Sequence, residues 1–387
     1  MDRYVHATAP TRADLAGGTL DIWPIPQLLR QKMLVSNDKD FPLHNSIVTL
    51  NAGLELRTSC SLSAQPRTDL SPNAIGSVSE WHITGDVFRL GPNQLSEARR
   101  LLATHPLVGT AILHVLPALH ERFCRIRVET QSDVPRGSGL GGSSSLLVSL
   151  LSAFDALVSD QPAPFSDTEL MARCHLACSL EAGLLGGLAG IQDHLGAAFG
   201  GVASYELLAG GHTKRCAIPE GAKNWIEEHG VLVQSGNEHH SGSANGHLLR
   251  DLLFEGHNGS GAFFADLAQN AQIAKRSLEV GDYLNFAKAA GRDWSLRRGS
   301  YPQLSTPAIE HLVEAGHRAG AMAAKVCGAA AGGVILFFAK STPGHQEQLA
   351  KALENEGAAI LPLRIASLGV QARLGDGLPG AALQKKS

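Results

Sequence analysis

The 387-residue chain is predicted to be an α+β protein of two mixed halves, on three observations. An alternating apolar/polar run, Cys124 to Thr130, leads through a loop of glycines and serines, 134–145, into a near-continuous apolar run, Leu146 to Leu157. Strand-like and helix-like segments then interleave without the strict βαβ rhythm of a parallel sheet. Near the C-terminus a second Gly/Ala-rich turn, 325–333, feeds another apolar strand, Val334 to Ala339.

In chain order, a strand is expected from Tyr4 to Ala9, followed by a Gly17-Gly18 turn and irregular, Pro-rich sequence through Pro42. Residues 46–57 and 80–84 read as strands separated by a Ser/Pro/Asn-rich break at 62–75, and 94–104 and 108–121 read as helical. After the glycine loop, helices are expected at 143–158, 167–183 and 191–198, then a strand at 202–207. Polar and glycine residues at 205–225 suggest a boundary, giving halves 1–208 and 209–387. Beyond it come a strand at 231–234, helices at 244–254, 260–278, 281–298 and 306–318, the strand at 334–339, a helix at 343–355, strands to Ala372 and a frayed tail after Gly375.

Bulk properties exclude several classes. With 33 Lys plus Arg against 36 Asp plus Glu, the chain has no global attraction for nucleic acid or an acidic membrane. A hydrophobic content of 44% fits a globular enzyme, and neither a signal peptide nor a spanning segment is read, so the expected location is cytoplasmic. Six scattered cysteines fit reduced thiols. Cys174, His175 and Cys178, and the His239/His240/His247 patch, read more simply as packing and as a solvated loop than as zinc sites. No G-x-S-x-G elbow is present for a serine hydrolase.

The loop Val134-Pro135-Arg136-Gly137-Ser138-Gly139-Leu140-Gly141-Gly142-Ser143-Ser144-Ser145 suits phosphate. Glycines allow positive φ and close approach, and the following helix N-terminus presents N–H groups to an anion. Gly137, Gly139 and Gly142 satisfy G-x-G-x-x-G, but the acidic residue of a dinucleotide site is missing about 20 positions on. A Walker A loop fails for want of a lysine, and a plain serine-capped turn seldom needs so many glycines.

This loop resembles the second motif of the GHMP kinases, P-x-x-x-G-L-G-S-S-A, the superfamily of galactokinase, homoserine kinase and mevalonate kinase. Ala9 to Asp21 resembles the galactokinase signature, and Lys325 to Gly333 the third motif, in the family's order. The run Glu181 to Gly201, with Gln192-Asp193 and Ala197-Ala198-Phe199-Gly200-Gly201, is similar to the bacterial heptose 7-phosphate kinase subgroup. The resemblance implies an N-terminal half like ribosomal protein S5 domain 2, a ferredoxin-like C-terminal half, and an active site in the cleft between them.

The resemblance also implies an ATP- and Mg²⁺-dependent sugar kinase acting on a heptose 7-phosphate or similar sugar, most simply at the anomeric hydroxyl. Galactokinase- or fucokinase-like chemistry on a neutral sugar and a catalytically silent nucleotide-binding paralogue are the alternatives. Pro135, Gly137, Ser138, Gly139, Leu140, Gly141, Gly142, Ser143 and Ser144 would hold ATP, while Ser143 or Ser144 and Glu181 would hold Mg²⁺. Asp193 would be the catalytic carboxylate, with Arg12 beside it, lowering its pKa. Gly17, Gly18, Thr19, Asp21, Gly190, Gln192 and Gly328 would form the substrate pocket.

Arg30, Lys32, His44, Arg297 and Arg298 are the available cations for a sugar phosphate. The bland alternatives are an Arg12–Asp21 ion pair and a solvated Glu181. Gly142 stands in place of a motif serine, and Ala330 and Ala331 in place of motif glycines, which would alter a left-handed turn. The expected partner is a small-molecule sugar or sugar phosphate, without nucleic acid or membrane, and a homodimer is compatible with the sequence.

Overall fold

A computed structural model describes residues 2–36, 47–68, 78–159, 165–185, 189–236, 260–328 and 333–375. Two sheets organise these residues. The larger has eight strands: β1 (Arg3–Ala16), β2 (Ile47–Pro66), β3 (Ser79–Ile83), β4 (Asp86–Leu90), β5 (Phe123–Ser132), β6 (Val202–Leu207), β7 (Thr213–Ala217) and β12 (Gln371–Gly375). Its path runs β12-β1-β2-β5-β3-β4, with β6 joined to β2 and β7 to β6. The smaller sheet is β11 (Ala359–Leu361), β8 (Gly230–Gln234), β10 (Val334–Phe338) and β9 (Ala323–Val326) in that order, all antiparallel.

β1 continues to Ala16, well past the expected end at Ala9, because it pairs with β2 through shifts in register after Pro10 and Asp14. Irregularities of this kind re-aim side chains beside functional sites, and here they lie on either side of Arg12. β2 runs to Pro66, into the expected break at 62–75; Leu62 and Ala64 point inward there, so alternation persists through polar neighbours.

The helices of the first half are α1 (Ile25–Ser36), α2 (Leu95–Thr104), α3 (Pro106–Leu119), α4 (Gly142–Ser159), α5 (Asp167–Leu185) and α6 (Gln192–Phe199). α1 occupies sequence expected to be irregular: its prolines, Pro24 and Pro26, sit just before and within the first turn, where a missing N–H is harmless. α4 is apolar and 18 residues long, which by composition alone would suit a membrane span, yet 67% of that window is buried inside the fold. It packs against β1, β2, α3 and α5 as a core helix.

α7 (Glu220–His229), α8 (Ser260–Val280), α9 (Tyr283–Ser300), α10 (Pro307–Arg318) and α11 (His345–Asn355) accompany the smaller sheet. Asp282 caps α9 by accepting from the Asn285 N–H, and Thr306 caps α10 by accepting from Ile309. β4, β7 and α7 are additional to the sequence expectation; each is only 5 or 10 residues long, too short for a strong periodic signal. The helix expected at 244–254 and the His239/His240/His247 patch lie outside the described residues.

Candidate functional site

Four segments distant in sequence converge here: the end of β1 with the turn after it, the loop before α4, the C-terminal part of α5, and the start of α6. Arg12, only 3% exposed, leaves β1 toward α6, where Nε and Nη2 donate to Asp193 Oδ1 at 2.8 and 2.5 Å. Its third nitrogen, Nη1, donates to the Gly139 carbonyl at 2.5 Å, while its backbone N–H donates to the Leu140 carbonyl at 2.9 Å. One arginine thus fastens the glycine loop and the α6 carboxylate to the sheet. The Arg12–Asp21 pair allowed by the sequence is replaced by Arg12–Asp193.

Gly137, Gly139 and Gly141 have φ of 71°, 75° and 71°, the left-handed region that a side chain disfavours. Space is equally decisive. A Cβ on Gly141 would stand 3.2 Å from Asp193 Oδ2, and one on Gly139 would stand 2.7 Å from the Cys327 carbonyl. Gly328, with φ of 70°, faces back so closely that its Cβ would lie 2.6 Å from the Gly139 carbonyl. The second and third motifs therefore meet backbone to backbone. Ala330 and Ala331 lie outside the described residues.

Pro135 accepts from the Ser138 N–H, and buried Ser138 turns its hydroxyl to the Leu140 N–H, so the loop is internally braced. Gly142 opens α4, followed by an exposed Ser143 and a buried Ser144. Ser143 Oγ donates to Glu181 Oε1 at 2.5 Å and Ser144 Oγ to Glu181 Oε2 at 2.6 Å. Glu181 is 5% exposed, not on a solvated helix face. Burial pushes its carboxyl up, but His194 and the two serines outweigh that and bring it to about 2.

His194 is a participant that sequence reasoning missed. It is fully buried beside Asp193 on α6, with Nε2 2.9 Å from Glu181 Oε2. A lone histidine next to a motif residue carries no spacing signal that would distinguish it from core packing.

Burial is the largest influence on Asp193 and pushes its pKa up; Arg12 opposes it, and the net direction is upward. Arg12 does lower this pKa, as expected, but desolvation of the buried carboxyl outweighs it, so the expected net lowering is corrected to a net rise. Asp193 nonetheless keeps 24% of its side-chain surface open.

Beside this pair, Asp21 Oδ2 accepts from the Gln192 N–H at 2.9 Å, while Oδ1 is buried without a partner among the described residues. Burial raises Asp21 to about 7, with the negative charge of Asp193 adding to the shift. Gly190 leaves the room for it: a Cβ there would lie 2.3 Å from Asp21 Oδ2. Gln192 Oε1 accepts from Thr49 at 3.0 Å and its carbonyl from Asn51 at 2.8 Å.

Gly17, Gly18 and Thr19 form the preceding turn, with Gly17 and Thr19 at positive φ of 75° and 72°. A Cβ on Gly18 would press on Asp14 Oδ2 at 2.6 Å.

The anticipated cationic pocket is not assembled among the described side chains. Arg297 is 1% exposed and donates to Asp293, Thr19 and Gly18. Arg298 pairs with Glu310 at the surface, and Arg30 donates to the Leu207 and Pro26 carbonyls. Lys32 and His44 fall outside the described side chains. Cys174 and Cys178 direct their thiols at the His194 and Ala189 carbonyls, and all six cysteines are free. A separate cleft of about 430 Å³, lined by Asp167, Met171, His175, Phe199, His212 and Arg215, shares no residue with the assembly around Asp193.

A carboxylate held by an arginine, beside a glycine loop at a helix N-terminus and a second carboxylate bound by serines, defines a phosphotransferase-type site. The chain belongs to the GHMP kinase family: residues 106–201 match the GHMP kinases N terminal domain and residues 274–359 the GHMP kinases C terminal model. It is a kinase. A curated relative, D-glycero-alpha-D-manno-heptose 7-phosphate kinase of Campylobacter jejuni, is 30% identical over 249 residues, covering 63% of this chain and 69% of that protein.

Among solved structures, a D-glycero-D-manno-heptose 1-phosphate kinase from Bacteroides thetaiotaomicron superposes with a TM-score of 0.67 at 23% identity, covering 95% of this chain and 98% of that one. Lactococcus lactis galactokinase complexed with galactose gives 0.65 at 14% identity, covering 95% and 94%. At these identities the two structures speak for the shared two-domain fold alone.

Proposed function

We propose that the protein is an ATP- and Mg²⁺-dependent sugar kinase that transfers the γ-phosphate to a hydroxyl, most simply the anomeric one, of a heptose 7-phosphate or closely related sugar. The observation carrying this reading is the Arg12–Asp193 pair packed against the bare backbone of Gly141. It brings a carboxylate, a guanidinium and a phosphate-type loop to one point. The named activity of the Campylobacter jejuni relative supports the heptose part of the reading.

The residues suit the groups the reading requires. Glycines at positive φ before the 18-residue α4 leave N–H groups and space for donor phosphates. Ser143, Ser144 and Glu181 are an all-oxygen donor set of the kind magnesium prefers. When bound, magnesium would neutralise charge on the phosphates.

Asp193 orients the acceptor hydroxyl and takes its proton, a contribution of about 10²–10⁴-fold. Arg12 keeps that carboxylate in place and faces the charge that redistributes during transfer. The unpartnered Asp21 Oδ1 accepts a hydroxyl of the sugar. In this reading residues 1–208 form the half bearing the loop and both carboxylates and 209–387 the half bearing Gly328, although β7 and β12 return to the larger sheet.

A neutral hexose is the second reading, favoured by one observation: Arg30, Arg297 and Arg298 are all engaged elsewhere. An ADP-release assay over heptose 7-phosphate, mannose, galactose, fucose and glucuronate separates the two. Turnover confined to heptose 7-phosphate supports the leading reading, turnover on a neutral hexose supports the second, and ATP binding without turnover on any sugar overturns both.

A further inference from the structure

The turn Gly17–Thr19 is gripped from the other half of the chain. Gly17 donates its N–H to Asp293 Oδ2 at 2.8 Å. Arg297, one helical turn further along α9, donates to the Gly18 carbonyl and, at 2.7 Å, to Thr19 Oγ1. All three residues of the turn are therefore held by one i, i+4 pair, itself joined by Arg297 Nε to Asp293 Oδ1 at 2.7 Å.

Lys325 of β9 completes the cluster, reaching Asp14 Oδ2 at 2.8 Å and Asp293 Oδ1 at 3.1 Å. Two acids and two bases, each 1% exposed or less, balance in formal charge. Such a cluster is a weak source of net stability, because desolvation offsets the attraction between the charges. It is a strong source of geometry, because removing any member strands another.

Thr19 identifies what that geometry serves. A β-branched residue at a φ of 72° is an outlier that persists only where its surroundings over-determine it. Two residues on, Asp21 carries the unpartnered Oδ1. The turn therefore sets where that oxygen stands, and α9 sets the turn.

We infer that Asp293 and Arg297 are positioning residues for the acceptor pocket: α9 of the C-terminal half locks the Gly17–Thr19 turn and so places Asp21, while neither side chain makes a hydrogen bond to the donor loop at 135–143 among the described residues. The inference rests on the reading of Asp21 as an acceptor contact. It distinguishes two consequences of damage to the cluster, because a merely structural role would disturb donor and acceptor binding together.

Arg297→Lys keeps the charge against Asp293 and Lys325 while removing the forked donors. It is expected to raise the acceptor KM about tenfold and to leave the ATP KM within about twofold, a single lost hydrogen-bonding fork being worth roughly that factor. Adding Thr19→Gly, which accepts positive φ without a grip, should recover part of the acceptor KM. Amide hydrogen exchange should quicken over residues 15–22 in Arg297→Lys and stay unchanged over 135–143.

Equal movement of both KM values, no recovery with Thr19→Gly, or unaltered exchange at 15–22 overturns the inference. Thr19→Val, which replaces the gripped hydroxyl by a methyl group, carries the same KM and exchange expectations if Arg297→Lys does not fold. Absence of turnover on every sugar in the unaltered protein, with quickened exchange at 15–22 in the variant, would instead overturn the acceptor reading while leaving the lock standing.

Discussion

Arg12 spends two of its three nitrogens on a single oxygen of Asp193: Nε and Nη2 both donate to Oδ1, and among the described residues no hydrogen bond falls on Oδ2. Oδ2 instead faces the open side of Gly141. The arginine thus orients the carboxylate without consuming the oxygen that a reacting hydroxyl would need. Asp193→Asn keeps the shape and removes the charge, so turnover should fall by about 10²–10⁴-fold while ATP binding is retained. A kinetic and calorimetric comparison with the unaltered protein checks both halves of that expectation.

The same pair predicts a pH profile. A base must be ionised to act, and burial holds the Asp193 pKa above the ordinary aspartate value. Activity should therefore be lost on acidification at a pH higher than an exposed aspartate would give. Arg12→Met removes the charge that opposes burial, so the acid limb of kcat/KM should move to still higher pH. An unchanged limb would mean that the titrating group is not Asp193.

Glu181 should appear in acid stability. Its folded pKa of about 2 lies below its ordinary value of 4.5, so the stabilisation is complete above about 4.5 and is lost as pH falls toward 2. The difference corresponds to something on the order of 3 kcal/mol. Glu181→Gln should lower stability near neutrality by up to that amount and flatten the denaturant midpoint between about pH 5 and 2, where the unaltered protein declines. Equal slopes in the two proteins would rule this out.

The motifs made much of this arrangement legible in advance. The glycine loop is readable from its own composition, and Arg12, Asp193 and Glu181 through the resemblance to the GHMP kinase motifs, because motif order is a local pattern. Other parts depend on tertiary contacts. Arg297 looked like a cation available to a phosphate, yet it is spent on Asp293 and the turn at Thr19, 278 residues away in sequence. The sequence places the end of the first strand at Ala9, yet β1 runs on through polar Thr11, Arg12 and Asp14, all three of them buried. Their burial is compensated by Asp193, Lys325 and the Leu56 carbonyl, none of which a local window contains.

Contact between the second and third motifs is testable through one methyl group. At Gly139 a Cβ would meet both a φ of 75° and the Cys327 carbonyl at 2.7 Å, a backbone atom with little freedom to move away. Gly139→Ala should therefore destabilise the fold by about 1–3 kcal/mol from the backbone conformation alone. It should also weaken ATP binding, since the Gly139 carbonyl is the anchor of Arg12 Nη1. Gly183→Ala, where a Cβ meets nothing within 4 Å, is the matching control on α5 and should leave both properties near their original values.

Asp21 sets stability against binding. Its folded pKa of about 7 lies above the ordinary value of 3.8, so its favourable contribution is complete below about pH 4 and disappears as pH rises through 7, where a buried negative charge forms. At pH 8 the unaltered protein carries a penalty on the order of 4 kcal/mol from this group. Asn accepts the Gln192 N–H in the same way but never ionises, so Asp21→Asn should be the more stable protein at pH 8 and nearly equal at pH 4. Its acceptor KM should nevertheless rise, because an amide replaces the unpartnered carboxylate oxygen. Denaturant midpoints at the two pH values, read beside the acceptor and ATP KM values, check the claim. A variant less stable at pH 8 would overturn the raised pKa, and one with an unchanged acceptor KM would remove Asp21 from the binding pocket.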